Sequence, residues 1–264
     1  MSVLDGTIAV VTGGRVGLGR ALALEVARRG ATVIIASQSD AAGTVQEIEG
    51  LGGTAEWVRT DVSHYADVES LAHHVQASYG RINLLVNNAG TGGEAGGLDA
   101  IDPAVAQRVF DVNIAGVFNG IRAFAADLKA AAAAGHPSFI LNVGSEHSLG
   151  VPPHVAPMSA YTVSKYTTLA FTDTARRDFA GTGVGITLLA PGWIRTELVA
   201  DITNRSAEAA AAILPLAQES DVVARLGIDG LLRGDYITTT NRSTAGFAGE
   251  HASAVLAALT VAGG

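Results

Sequence analysis

The sequence predicts an α/β fold, a doubly wound parallel sheet covered by helices on both faces. Three observations predict it. Residues 7–12 (TIAVVT) form a β-rich apolar run, too short for a helix, that leads straight into Gly13-Gly14-Arg15-Val16-Gly17-Leu18-Gly19 and a helical pattern reaching Arg29. Further short apolar runs then alternate with helical stretches along most of the chain. Nothing resembles a linker, so residues 1–264 are read as one domain.

The first strand, turn and helix make an anion site. Glycines let the backbone approach a phosphate, and the helix N-terminus offers unpaired N–H groups and a positive dipole end. Gly13, Arg15, Val16, Gly17, Leu18 and Gly19 are the candidates for this contact. A second strand spans 31–37. In dinucleotide sites an acidic residue near this strand end binds the ribose, whereas an arginine accommodates a 2′-phosphate. Here Ser37, Gln38 and Ser39 stand instead, Asp40 is read as the cap of a helix from Ala41, and Arg15 is read either as a cation for a 2′-phosphate or as a solvated loop charge.

The alternation continues with a strand at 54–59 ending in Thr60-Asp61-Val62, a helix at 65–79, and a strand at 83–86 followed by Asn87-Asn88-Ala89-Gly90. A long helix is expected from Pro103, a favoured first-turn residue, to about 134, with Asn113 inside it. Next come a strand at 138–143, a helix at 158–179 and a strand at 184–189. Beyond Pro191-Gly192 the regularity weakens. Residues 197–215 hold an Ala-rich helical stretch (197–212) read as a substrate lid, 220–233 a helix, 236–240 a strand, and the tail 240–264 a terminal helix over 249–261. Right-handed crossovers place all strand C-terminal ends on one side, and every motif lies at such an end or just after it.

Composition narrows the chemistry. The chain has no cysteine, which excludes disulfides, thiolate catalysis and zinc–sulfur sites. A formal charge of −8 argues against nucleic acid or anionic membrane as partner. At 48% hydrophobic residues and a mean hydropathy of +0.31, a large core and buried subunit interfaces are expected. The apolar runs are too interrupted for a membrane span, and the start lacks the pattern of a signal peptide, so a cytoplasmic location is expected. The seven histidines, including His73-His74, His147 and His154, show no metal-ligand spacing, so no metal is expected.

Tyr161 and Lys165 stand four apart on the 158–179 helix and so share one face. A free tyrosine has a pKa of roughly 10, and a fixed positive charge nearby favours the phenolate, moving it toward general acid/base use. The chain has 15 arginines but only two lysines, Lys129 and Lys165. Where charge merely needs solvation it uses arginine, so Lys165 marks a place that requires a compact ammonium.

With these residues assembled, the chain resembles the short-chain dehydrogenase/reductase family over roughly residues 7–196. The likeness rests on Thr12-Gly13 with Gly17 and Gly19, Asp61, Asn87-Asn88-Ala89-Gly90, Asn113, a serine after the fifth strand, Tyr161 with Lys165, and Pro191-Gly192 with Thr196. The resemblance implies a three-layer Rossmann-type sheet of about seven strands and a homotetramer. It implies that Tyr161 exchanges a proton with the substrate oxygen, while Lys165 holds the nicotinamide ribose and lowers the pKa of Tyr161. Asn113 would hold a water leading to Lys165. Asp61 and Val62 would contact the adenine, and Asn88, Ala89 and Gly90 would line the adenosine side. Thr196 would bind the nicotinamide carboxamide or the pyrophosphate, and Pro191, Gly192 and Ile194 would also contact the cofactor.

The serine has two candidates. The family's usual spacing before the tyrosine selects Ser148, whereas the strand-end pattern Leu141-Asn142-Val143-Gly144-Ser145 selects Ser145 and requires three extra loop residues. Ser145 is favoured, because a strand end fixes a hydroxyl better than a loop does. Glu146, His147 and Trp193 join Ser145 and Tyr161 as substrate-pocket candidates. In place of the family's usual Asp-Gly-Gly-type turn and short tail stands Gly234-Asp235-Tyr236-Ile237-Thr238 with a longer tail, expected to help close the pocket or an interface. The lack of an acid at Ser37 or Gln38 tilts the cofactor from NAD toward NADP. The expectation is an oxidoreductase interconverting a small-molecule secondary alcohol and ketone. Its rivals are a non-catalytic dinucleotide-binding sensor or scaffold and a sugar-nucleotide epimerase or dehydratase, the latter disfavoured by the few residues after Thr196.

Overall fold

Period-two burial along the first strand sets the layers. In β1 (Ile8–Thr12), Ala9 and Val11 face one core, while Ile8 and Val10 face the other. A computed structural model gives the structure of residues 2–261; residue 1 and residues 262–264, the first residue and the end of the expected tail, lie outside the described residues. The first core is closed by α1 (Gly17–Arg28) and a later helix carrying Val223, Ile228 and Leu231. The second is closed by α3 (Tyr65–Tyr79) and the helices that bring Phe124, Leu128 and Phe179.

After β2 (Thr32–Ser37), α2 (Ala42–Gly50), β3 (Thr54–Arg59) and α3 comes β4 (Leu84–Asn87). Asp40 Oδ1 accepts from the Ala42 N–H at 2.7 Å, as its capping role predicts. Helix α4 (Pro103–Phe110) starts on Asp102, whose carboxylate accepts from the Ala104 N–H with Pro103 in the first turn. The chain continues through α5 (Gly116–Ala133), β5 (Phe139–Val143), α6 (Ser159–Asp178), β6 (Gly185–Ala190), β7 (Ile194–Arg195), α7 (Glu197–Arg205), α8 (Ala207–Ile213), β8 (Gln218–Glu219), α9 (Ser220–Arg233), β9 (Ile237–Thr239) and α10 (Thr244–Val261).

The main sheet has seven strands in the order β3-β2-β1-β4-β5-β6-β9, every neighbour parallel. This is the three-layer Rossmann-type arrangement expected. Strand order reverses between β1 and β4, and the crevice beyond their C-terminal ends is where such sheets bind ligands. Among the described residues no helix is long and apolar enough to cross a membrane.

Three expectations are corrected, and one pair of strands was not expected. The single helix over 103–134 is interrupted by a wider π stretch at Asp111–Ala115, where the buried Asn113 side chain is drawn to Thr91 and Ser164. The 197–212 stretch is two helices, because Ser206 turns its hydroxyl onto the Ala209 N–H and starts a new one. β7 and β8 form a separate two-stranded ladder, each strand too short to leave a periodic signal. The terminal helix begins at Thr244 rather than 249.

Candidate active site

The glycine turn is held open by the end of β4. Thr12 Oγ1 accepts from the N–H groups of Asn88 (2.9 Å) and Ala89 (3.0 Å), while the Asn88 amide donates to the Thr12 carbonyl at 2.9 Å. Gly13 has φ +67°, and a side chain there would come within 2.9 Å of Ala89 Cα. A methyl on Gly19 would collide with the Gly13 carbonyl and the Asn88 amide. Bare backbone and the N-terminus of α1 thus form the floor of a trough.

The trough consists of two adjoining cavities that share Gly90 and Thr91. One, of about 330 Å³, has Gly13, Arg15, Val16, Ser37, Gln38, Asp61, Val62 and Ala89 in its wall. The other, of about 280 Å³, holds Leu18, Asn88, Ser145, Glu146, His147, Tyr161, Lys165, Pro191, Gly192, Trp193 and Ile194. An elongated ligand with a diphosphate over the glycine turn fits this shape and this donor set.

At the far end the two serines separate. The Ser148 hydroxyl is fully buried, donates to the Lys165 carbonyl at 2.8 Å and accepts from the Ser145 N–H. It has no reach into the cavity. Ser145 lines the cavity, and its hydroxyl faces the Tyr161 phenol. Lys165 is 6% exposed, donates from Nζ to the Val143 carbonyl at 2.9 Å, and sits 5.6 Å from the Tyr161 ring centre.

The electrostatics differ from expectation in one respect. Burial pushes the enclosed Tyr161 phenol above its usual value, with the Glu146 carboxylate adding to the rise and the Ser145 contact opposing it. The direction is opposite to the lowering expected from Lys165, because burial dominates. The ammonium is itself pulled down to about 8 by desolvation. Because this folded-state value lies below the unfolded 10.5, the unfolded chain binds the extra proton between these limits, and stability rises as pH climbs from 8 toward 10.5. Lys165→Met should abolish that rise, worth on the order of 3 kcal/mol, in urea unfolding compared at pH 8 and pH 10.

His147 packs edge-on to Tyr161 with ring centres 5.2 Å apart. Thr162 gives its only hydroxyl proton to the Met158 carbonyl, so His147 Nδ1, 2.9 Å from Thr162 Oγ1, must be the donor there. Burial, then the charges of His154 and Lys165, pull the imidazole down to about 4. It is therefore neutral at pH 7, with Nε2 an acceptor. Glu146 is 2% exposed, and its carboxylate accepts from Thr244 Oγ1 (3.2 Å) and meets His154 Nε2 at 3.1 Å.

Of the remaining candidates, Gly17 and Gly19 act through backbone shape, and Thr196 accepts from the Val199 N–H as the cap of α7. Asn113 lies behind the cavity, its amide donating to the Thr91 carbonyl and to Ser164 Oγ and accepting from the Thr91 N–H. Sequence reasoning missed Thr91, Met158 and Ile202 as wall residues, and Thr244 as the partner of Glu146. An apolar or hydroxyl side chain in a loop or on an unplaced helix carries no local signal.

Residues 7–207 match a family model described as short chain dehydrogenase. The chain is 39% identical over 197 residues to a probable oxidoreductase, EphD, of Mycobacterium tuberculosis, covering 74% of this chain and 32% of that one, so it spans about a third of that relative's length. It is 31% identical to an A-factor type gamma-butyrolactone 1′-reductase of Streptomyces virginiae, over 75% of this chain and 76% of the relative. Its structure superposes with TM-score 0.80 on a Burkholderia phymatum short-chain dehydrogenase/reductase solved in complex with NAD, at 29% identity and 90% of both chains.

Proposed function

Because the chain belongs to the short-chain dehydrogenase/reductase family of oxidoreductases, we propose that it interconverts a secondary alcohol and a ketone with NADP in the trough. The observation that carries this reading is the meeting of the Ser145 hydroxyl and the Tyr161 phenol in one cavity wall, beside Lys165, at the end of the glycine-floored trough.

When bound, the nicotinamide supplies or accepts the hydride. Gly13 to Gly19 would take the diphosphate, Asp61, Val62 and Asn88 to Gly90 the adenosine, and Pro191, Gly192, Ile194 and Thr196 the nicotinamide end. Lys165 would hold the ribose hydroxyls. Ser145 would hydrogen-bond the substrate oxygen while Tyr161 gives it a proton in reduction and takes it back in oxidation. The raised phenol pKa keeps Tyr161 protonated at neutral pH, which suits the reducing direction. Both amide protons of Asn113 are already committed, so a water held there would rest on its main-chain carbonyl. Glu146, His147 and Trp193 would border the substrate.

NADP is preferred on local grounds. Ser37 spends its hydroxyl on the Ser39 carbonyl, no carboxylate stands at the end of β2, and Arg15 lines the same cavity. Ser37→Asp should move the NADPH:NADH ratio of kcat/KM toward NADH by at least about tenfold, through charge repulsion of the 2′-phosphate. Self-assembly as a tetramer would use α5 and α6, where Phe118 stays half exposed beside Phe171 (ring centres 6.4 Å) and Val163 is exposed. Light scattering on the eluting protein reads this directly.

Nicotinamide absorbance followed across a ketone panel, with NADPH and with NADH, tests the reading. Turnover supports it. Tight cofactor binding with no turnover on any ketone would replace it with a binding-only role.

A further inference from the structure

Glu146 ties together three segments of the chain. It stands just past the end of β5, its N–H donates to the Pro191 carbonyl at 2.7 Å after β6, and its two oxygens meet His154 of the following loop and Thr244 of α10. Gly192 sits so close that a side chain there would strike Asn241 and approach the carboxylate. A buried carboxylate is tolerated only where it is paired and hydrogen-bonded, and this one is fully held. Yet it also belongs to the wall of the cavity that contains Ser145 and Tyr161.

The rest of that wall offers little to an anion. Leu18, Val143, Met158, Trp193, Ile194 and Ile202 are apolar. His147 is neutral, and its free nitrogen is an acceptor. Among the described residues Lys165 is the only lysine or arginine in the wall; one of its three N–H groups goes to the Val143 carbonyl, and in the oxidoreductase reading the others hold the cofactor ribose. A substrate carboxylate would therefore face the Glu146 carboxylate across a largely apolar wall, while the partner of that carboxylate, His154, lies outside the wall and the Lys165 ammonium is engaged by the Val143 carbonyl and the cofactor side.

We propose that Glu146 is a specificity-determining residue that makes this cavity select neutral alcohols and ketones and reject anionic ones. The proposal rests on the oxidoreductase reading of the same cavity. Selection works by repulsion rather than by better contacts to the preferred substrate.

The test compares a 4-oxo carboxylic acid with its methyl ester, with chain length taken from the ketone panel, in wild type, Glu146→Gln and Thr244→Val. In wild type kcat/KM should favour the ester by about 100-fold, the scale of one unscreened like-charge contact at a protein-like dielectric. Glu146→Gln should cut that ratio at least about tenfold, mostly through a lower KM for the acid. Thr244→Val loosens the carboxylate without removing its charge and should keep the wild-type ratio. A folded Glu146→Gln with an unchanged ratio overturns the proposal. So does a wild type that takes acid and ester equally, which decides the matter even if Glu146→Gln does not fold. Cofactor binding without turnover of any neutral ketone would be a different result. It would overturn the oxidoreductase reading, and this inference with it.

Discussion

Tyr161→Phe should lower kcat by about a thousandfold while leaving cofactor affinity within about threefold. The substitution removes one oxygen and keeps the ring that packs against His147, so the fold should persist. What disappears is the proton that must reach the substrate oxygen. Ser145 cannot replace it, because an aliphatic hydroxyl is too weak an acid to release its proton, and that proton is directed to the Pro191 carbonyl at 3.5 Å. Single-turnover rates and equilibrium cofactor titration on the same preparation check both halves. A variant that keeps full kcat would remove Tyr161 from the chemistry.

Gly19→Ala should weaken cofactor binding at least about 100-fold and cost on the order of 3 kcal/mol of stability, the upper range for overpacking. The added methyl has no free space: it meets the Gly13 carbonyl and the Asn88 amide together. Relief requires Asn88 to leave the Thr12 and Gly13 carbonyls it donates to, which unpins β4 from β1 at the floor of the trough. Cofactor titration and urea unfolding measure the two effects separately. Near-native behaviour in both would mean the floor is soft.

Most of the architecture was legible because buried parallel strands and helices carry their own periods. Strand 54–59 and helices 65–79 and 220–233 fall on β3, α3 and α9 to the residue. The glycine turn, the asparagine run after β4 and the Tyr161–Lys165 pair were readable for a related reason: their chemistry is local in sequence. The rule that strand ends hold hydroxyls favours Ser145 over Ser148; Ser145 lines the cavity, while the Ser148 hydroxyl is turned to the Lys165 carbonyl. The illegible parts depend on partners far along the chain. The π stretch around Asn113 answers to Thr91 and Ser164, and the two-residue strands β7 and β8 exist only as a pair. The upward shift of the Tyr161 phenol was missed for the same reason. Pair spacing reveals the ammonium, but not the desolvation of both groups that the packed site imposes.

The bond from Thr244 to Glu146 spans 98 positions, and it sets an order of completion during synthesis. The strands and turns that form the trough, with Tyr161 and Lys165, precede residue 197. The fastening of the substrate wall waits for β9 to dock beside β6 and for α10 to emerge from the ribosome. The nucleotide-facing half is thus packed once α9 covers α1, while the carboxylate is still short of its Thr244 partner. Ribosome-bound chains arrested before and after Thr244, each carrying a C-terminal spacer that clears the ribosome, should then differ in substrate discrimination more than in nucleotide capture.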